Sequence, residues 1–186
     1  MKSKTKAIFI LLALVILIFG AYIAYSTISK SRAYSSLDDS AYEDAPDFTF
    51  YDKDNNAIKL SDYKGKFVVL NFWASWCGYC DLEMEGFNNA YNKYLDNDKL
   101  EFIMLNSTDD NQETVQTANK YYEENDFDFP IYYDLDMDGF RKFGVNGLPA
   151  TYFINQNGKV IAAQPGYLEE ELLKQVLEKI ELDMII

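Results

Sequence analysis

Apolar and polar positions change regime twice along the chain. From Ala7 to Tyr25 run 19 residues without a charge, preceded by Lys2, Lys4 and Lys6. At ~1.5 Å per helical residue this stretch spans roughly 28 Å, close to the ~30 Å hydrocarbon core of a bilayer, and it predicts a transmembrane helix. Ser31 to Asp47 is polar, with Ser35, Ser36, Asp38, Asp39, Ser40, Glu43 and Asp44, and reads as a tether. Beyond it the pattern becomes that of a folded domain. The expected organisation is residues 1–6 on the cytoplasmic side, a span over 7–25, a linker over 26–44 and a domain over 45–186.

Within the domain, Phe48-Thr49-Phe50 alternates like a strand, Tyr51 to Asn56 supplies turn residues, and Ala57-Ile58-Lys59-Leu60 is its hairpin partner. Phe67 to Phe72 is nearly continuously apolar, as a strand buried on both faces requires. Leu82, Phe87, Ala90, Tyr91 and Tyr94 fall near helical spacing, and Leu100 to Leu105 reads as a second central strand. Glu113 to Glu124 is polar and free of breakers, which predicts an exposed helix. Pro130 to Tyr133 is a short strand and Phe140 to Phe143 a helical turn. Thr151 to Ile154 and Lys159 to Ala163 form a hairpin around Asn157-Gly158. Leu168, Leu172, Leu173, Val176, Leu177 and Ile180 make the apolar face of a last helix. The order is that of an α/β domain with a mixed central sheet flanked by helices. No internal repeat is present.

Composition adds exclusions. The chain is 48% hydrophobic and 16% aromatic, so disorder over its whole length is excluded. Residues 1–32 hold five bases and no acid, so the whole-chain net charge of −13 leaves −18 on the remainder. A body this acidic is repelled by phosphate backbones, which argues against a nucleic-acid partner. Histidine is absent, which removes imidazole bases and imidazole metal ligands. The cationic start favours the cytoplasmic side, placing the domain beyond the membrane. A cleavable signal peptide competes with a permanent anchor. The anchor is favoured because Tyr22, two places before Ala24, spoils a small-x-small cleavage site.

The chemistry sits in Ala74-Ser75-Trp76-Cys77-Gly78-Tyr79-Cys80, which holds both cysteines of the chain at the junction between the apolar run and the helical pattern. A structural zinc or iron–sulfur site needs about four ligands. A purely structural disulfide would close too small a loop to gain much entropy. Thiol–disulfide redox chemistry fits better. Free N–H groups and the helix dipole at the helix start stabilise a thiolate at Cys77, while Cys80, one turn on, is placed to resolve a mixed disulfide.

Val69-Leu70-Asn71-Phe72-Trp73-Ala74-Ser75-Trp76-Cys77-Gly78-Tyr79-Cys80 resembles the active-site segment of thioredoxin-fold proteins, in particular the exported TlpA/ResA-like branch. Gly147-Leu148-Pro149-Ala150-Thr151 stands where that family has its cis-proline loop. Ala45 to Phe50 and Leu60 to Lys66 resemble its N-terminal β-hairpin extension, and Phe153 to Val160 its last hairpin. The likeness runs over about residues 45–182. It implies a thioredoxin-like fold, Cys77 as nucleophile, Cys80 as resolving thiol, and Pro149, preceded by Leu148, as the residue that shapes the substrate groove and keeps metals off the thiols. It implies Trp76 packed beside the cysteines, no cofactor beyond the redox-active disulfide, protein disulfides or dithiols as substrates, and a membrane thiol-electron transporter of the CcdA/DsbD kind as reductant. Glu83 matches an acidic position of this branch, and Asn71 stands where thioredoxin has a buried aspartate. Glu83 is open between a proton-transfer role and an exposed helix charge.

Two positions depart from the family pattern. Asp81 replaces a residue that is usually basic or neutral, and its charge opposes a thiolate at Cys77. Glu85 replaces a helix-kinking proline, leaving Gly86 to supply any bend. Asp134 to Gly139 opens like a calcium loop but has Val145 at its twelfth position, where a bidentate glutamate is required. Asn106-Ser107-Thr108 fits a glycosylation sequon and reads instead as a strand end with a cap. Tyr121, Tyr122, Tyr132 and Tyr133 suit packing better than a binding groove. The N-terminal hairpin also resembles peroxiredoxins, whose threonine-containing motif is absent. The expected activity is an extracytoplasmic thiol–disulfide exchange, with reduction favoured over oxidation or isomerisation by the family resemblance. The alternative from another class is a tethered binding or chaperone-like module with incidental cysteines.

Overall fold

The computed structural model describes residues 42–185 and Phe19, with side chains to Glu181. Apart from Phe19, the span expected over 7–25 lies outside the described residues, as does most of the linker. No helix among the described residues is long and apolar enough to cross a membrane.

Among the described residues seven strands form one sheet: β1 (Thr49–Tyr51), β2 (Ala57–Lys59), β3 (Phe67–Trp73), β4 (Leu100–Asn106), β5 (Ile131–Tyr133), β6 (Ala150–Ile154) and β7 (Val160–Pro165). Their order across the sheet is β2-β1-β5-β4-β3-β6-β7. From residue 42 onward the α-helices are α1 (Gly78–Tyr94), α2 (Val115–Glu124), α3 (Asp138–Lys142) and α4 (Glu170–Ile185), and Leu60–Tyr63 forms a 3-10 helix. β3 is the axis: it runs parallel to β4 along its whole length and antiparallel to β6 on the other side. All seven of its residues are buried, which is why its sequence, Asn71 apart, is apolar rather than alternating. β5 is parallel to β4, and the β1–β2 hairpin extends the sheet beyond β5. The mixed α/β sheet expected from the pattern is the sheet observed.

Side-chain alternation along β3 divides the core. Val68, Leu70 and Phe72 join Phe48, Phe50, Ile103, Leu105 and Val145 in one cluster. On that side α3 approaches so closely that a Cβ on Gly139 would stand 2.4 Å from Phe48 Cε2. The other face presents Asn71 and Trp73, which meet Glu83 of α1 and Tyr121 of α2. α1 and α4 pack together there, Gly86 lying against Glu170, so Gly86 is a point of close approach.

Several expectations change. α1 buries Cys80, Glu83, Met84, Phe87, Ala90 and Tyr94, whereas Leu82 is 64% exposed: the buried stripe counts from Cys80, and Leu82 falls off it. Leu168 precedes α4 and is buried in the connection from β7, while Leu172 is 43% exposed. α2 begins after a Thr114 cap rather than at Glu113. The folded body starts earlier than residue 45: Glu43 O accepts from Val160 N, and Asp44 bridges to Lys159. The β6–β7 turn places Gly158 at φ +77, with Asn155 Oδ1 accepting from the N–H groups of Asn157 and Lys159. Tyr132 and Tyr133 are buried, and Tyr121 and Tyr122 pack on Trp73, Phe127 and Phe129.

Candidate active site

β3 ends at Trp73, and the next four residues turn the chain into α1. Cys77 N donates to Ala74 O at 3.1 Å, closing a turn, and Cys77 itself caps the helix. Its Sγ accepts from Cys80 N at 3.2 Å, and its carbonyl accepts from Asp81 N at 3.1 Å. Cys77 and Cys80 form a disulfide across a Cα–Cα distance of 5.2 Å. Both are buried, Cys80 at 1% exposure and Cys77 at 6%. A sulfur held as the N-cap meets first-turn N–H groups and the positive end of the helix dipole. Both stabilise a thiolate when the disulfide opens.

The rim of this turn is exposed and apolar: Trp76 is 51% exposed and Tyr79 67%. Trp76 therefore shares in this rim with about half of its surface open to solvent. Gly78 opens α1, and a Cβ there would meet nothing within 4 Å, so its side-chain-free position is not a steric need. The Leu148–Pro149 peptide is cis, and Pro149 O accepts from Gly166 N at 2.8 Å.

Glu83 lies one turn beyond Cys80 on the inner side of α1 and is only 3% exposed, which rules out the exposed-charge reading. Asn71 Nδ2 donates to its Oε1 at 2.8 Å and to Thr151 Oγ1 at 3.0 Å. Leu168 N donates to Glu83 Oε2 at 2.8 Å. Burial pushes the Glu83 carboxyl up from 4.5 to about 7, against the opposing pull of the Leu168 N–H and the Asn71 amide. No cation pairs with it among the described residues. A buried carboxyl that titrates near neutral pH is suited to exchanging a proton with a neighbouring thiol. Asn71 Oδ1 is buried with no partner among the described residues, so its amide meets Glu83 as a donor.

Asp81 is exposed and accepts from Tyr121 Oη at 2.7 Å. Burial, and then the Asp81 carboxylate, drive the Tyr121 phenol well above its ordinary range, so it stays a neutral donor. Among the described residues no cluster of three or more His, Cys, Asp or Glu side chains could hold a metal ion. Asp134, at the head of the supposed calcium loop, is instead buried and accepts from Gly139 N and Phe140 N at the start of α3. Sequence reasoning missed Glu113, which is buried and bonded to Ser75. Its polar neighbours disguise it, and only its place beside the Thr114 cap hints at a special position.

Residues 42–163 match the AhpC/TSA family. The thiol-disulfide oxidoreductase ResA of Bacillus thuringiensis subsp. konkukian is 36% identical over 138 residues, covering 74% of this chain and 77% of the relative. ResA of Geobacillus thermodenitrificans is 32% identical over 176 residues, covering 95% and 94%. Among solved structures, the exposed lipoprotein thioredoxin of Streptococcus pneumoniae superposes with a TM-score of 0.63 at 28% identity, covering 72% of this chain and 99% of that one. The sheet, its flanking helices and the disulfide-bearing turn are thus those of a thioredoxin-like α/β fold.

Proposed function

Since the chain belongs to the AhpC/TSA family, we propose that it works as a membrane-anchored, extracytoplasmic reductase of protein disulfides, with Cys77 as the attacking thiolate and Cys80 as the resolving thiol. It is a thiol–disulfide oxidoreductase, and protein disulfides are its substrate class. The observation that carries the mechanism is the buried Cys77–Cys80 disulfide capping α1, with Cys80 N–H directed at Cys77 Sγ.

The reduced dithiol starts the cycle. The Cys77 thiolate attacks one sulfur of a substrate disulfide, forming a mixed disulfide and releasing the other substrate sulfur as a thiolate. Cys80 then loses its proton, and its sulfur attacks Cys77 Sγ. The Cys77–Cys80 disulfide forms and the second substrate sulfur leaves. The substrate gains two electrons and the enzyme loses two. Glu83, one turn from Cys80 and titrating near 7, takes the Cys80 proton in this reading. A second dithiol must then reduce the enzyme. A membrane thiol-electron transporter of the CcdA/DsbD kind supplies it in this reading; the cationic, apolar N-terminal sequence supports this, because a span there would set the domain beside a membrane, opposite Lys2, Lys4 and Lys6.

Cys80→Ser tests this. Without the resolving thiol, the mixed disulfide accumulates and is seen as a ladder of adducts on non-reducing gels that dithiothreitol collapses. Absence of any adduct would contradict the exchange reading and favour a binding module. The Gly78-Tyr79 dipeptide, which resembles that of bacterial disulfide isomerases, keeps an oxidase or isomerase as the second reading. Trapped partners that accumulate oxidised in a deletion strain establish reduction. Partners that accumulate reduced establish the reverse.

A further inference from the structure

Glu113 lies in the connection from β4 to α2, and its side chain turns into the protein, 1% exposed. Its carboxylate accepts from Ser75 N at 2.9 Å, from Ser75 Oγ at 2.7 Å and from Asn106 Nδ2 at 2.7 Å. Thr117 Oγ1 stands at 3.5 Å. All these partners are neutral. Burying a carboxylate on neutral donors is costly, and capping α2 does not require it, because Thr114 already serves there.

The main chain of Glu113 is itself fixed. Its N–H donates to Asp109 Oδ1 at 2.8 Å, and its carbonyl accepts from Asp109 N and Asp110 N at 3.1 and 3.0 Å. The carboxylate is therefore a rigid post. What it holds is Ser75, inside the turn closed by Cys77 N and Ala74 O. On the far side of the cysteines, Tyr121 of α2 holds Asp81 at 2.7 Å. The segment after β4 thus grips the redox turn before and after the disulfide.

We propose that Glu113 is a positioning residue for the exchange reaction: by holding Ser75 it fixes the turn that delivers Cys77 to the start of α1, so the acidity of Cys77 depends on this carboxylate. The proposal rests on the exchange chemistry above. A loosened turn lets Cys77 Sγ drift from the first-turn N–H groups, and the thiolate loses part of its stabilisation.

Two neutral variants of the full chain separate positioning from charge. Glu113→Gln keeps an oxygen for Ser75 N–H and an amide that can donate to Ser75 Oγ. Glu113→Ala removes the post. The readout is the pH dependence of Cys77 alkylation by iodoacetamide in the reduced protein, with urea unfolding measured alongside. Cys77 is expected to titrate at least about half a pH unit higher in Glu113→Ala than in Glu113→Gln, roughly a threefold lower thiolate fraction near neutral pH. Equal titration in the two variants overturns the proposal, whatever happens to stability. If Glu113→Ala does not fold, Ser75→Ala against wild type decides: a rise in the Cys77 titration supports positioning, and no change overturns it. A wild-type protein that alkylates normally but reduces no protein disulfide would overturn the functional reading while leaving this comparison intact.

Discussion

Glu83→Gln should change how stability depends on pH. In the fold the Glu83 carboxyl titrates near 7, raised first by burial, against 4.5 for an ordinary glutamate. Below pH 4.5 it is protonated both folded and unfolded, and wild type and variant should differ by a constant. Between 4.5 and 7 the unfolded chain releases the proton while the fold retains it, so wild-type stability falls as pH rises. Above about 7 the group is ionised in both states and the loss is complete. The gap between 4.5 and about 7, at ~1.4 kcal/mol per pH unit, makes that loss about 3 kcal/mol. That is a sizeable share of a typical domain stability of ~5–15 kcal/mol. Glutamine is neutral throughout and accepts from Asn71 and Leu168 less strongly, so the variant should show no such fall. Urea unfolding of the oxidised proteins from pH 4 to pH 9 measures the difference. Asp134, also raised by burial, is present in both proteins and cancels. Wild-type and variant curves that stay parallel within about 0.5 kcal/mol would mean that Glu83 titrates like a surface carboxylate, and its proton-transfer role would fall with that result.

Asp81→Asn removes the exposed charge nearest the cysteines along α1. The Cys77 thiol should become more acidic by a few tenths of a pH unit at low salt, an effect that fades above about 0.5 M salt; alkylation rates at both ionic strengths report it, and no low-salt change would show the charge to be fully screened. Gly139→Ala sets a methyl group 2.4 Å from Phe48 Cε2, in a cluster where Phe48 is 2% exposed and hemmed by Phe50 and Phe143. It should cost about 1–3 kcal/mol in urea unfolding. Gly78→Ala meets open space at a helical position and should be neutral or stabilising by up to about 1 kcal/mol. Equal effects of these two alanines would refute the close approach of α3.

The frame of the fold could be read because its signals are local. The run from Phe67 to Phe72 needs two covered faces, and it has them. The cysteines sit at a change from strand to helix pattern that any window of a dozen residues reveals. Residues whose meaning depends on a distant partner were hidden. Glu113 looks like the polar start of an exposed helix until Ser75 is placed against it. Leu168 fits a helical stripe, but its main chain is engaged by Glu83 outside the helix. Leu82 shares the helical spacing of Phe87 yet faces solvent, because the stripe is set by Cys80 and Glu83, one of them charged in sequence terms. Glu83 is buried by partners 12 and 85 residues away, Asn71 and Leu168, which no local pattern around it reveals.

The bond from Leu168 to Glu83 crosses 85 residues of chain, and the one from Asn71 to Thr151 crosses 80. A polypeptide made from its N-terminus therefore exposes both cysteines well before β6, β7 and α4 exist. During that interval Glu83 lacks both the Leu168 N–H and the packing of α4 against α1. Closure across such distances is the slow part of folding for sheets of this kind. The cysteine pair is thus made first, and its buried carboxyl neighbour is completed last, when about the final fifth of the chain, from β6 onward, folds over it.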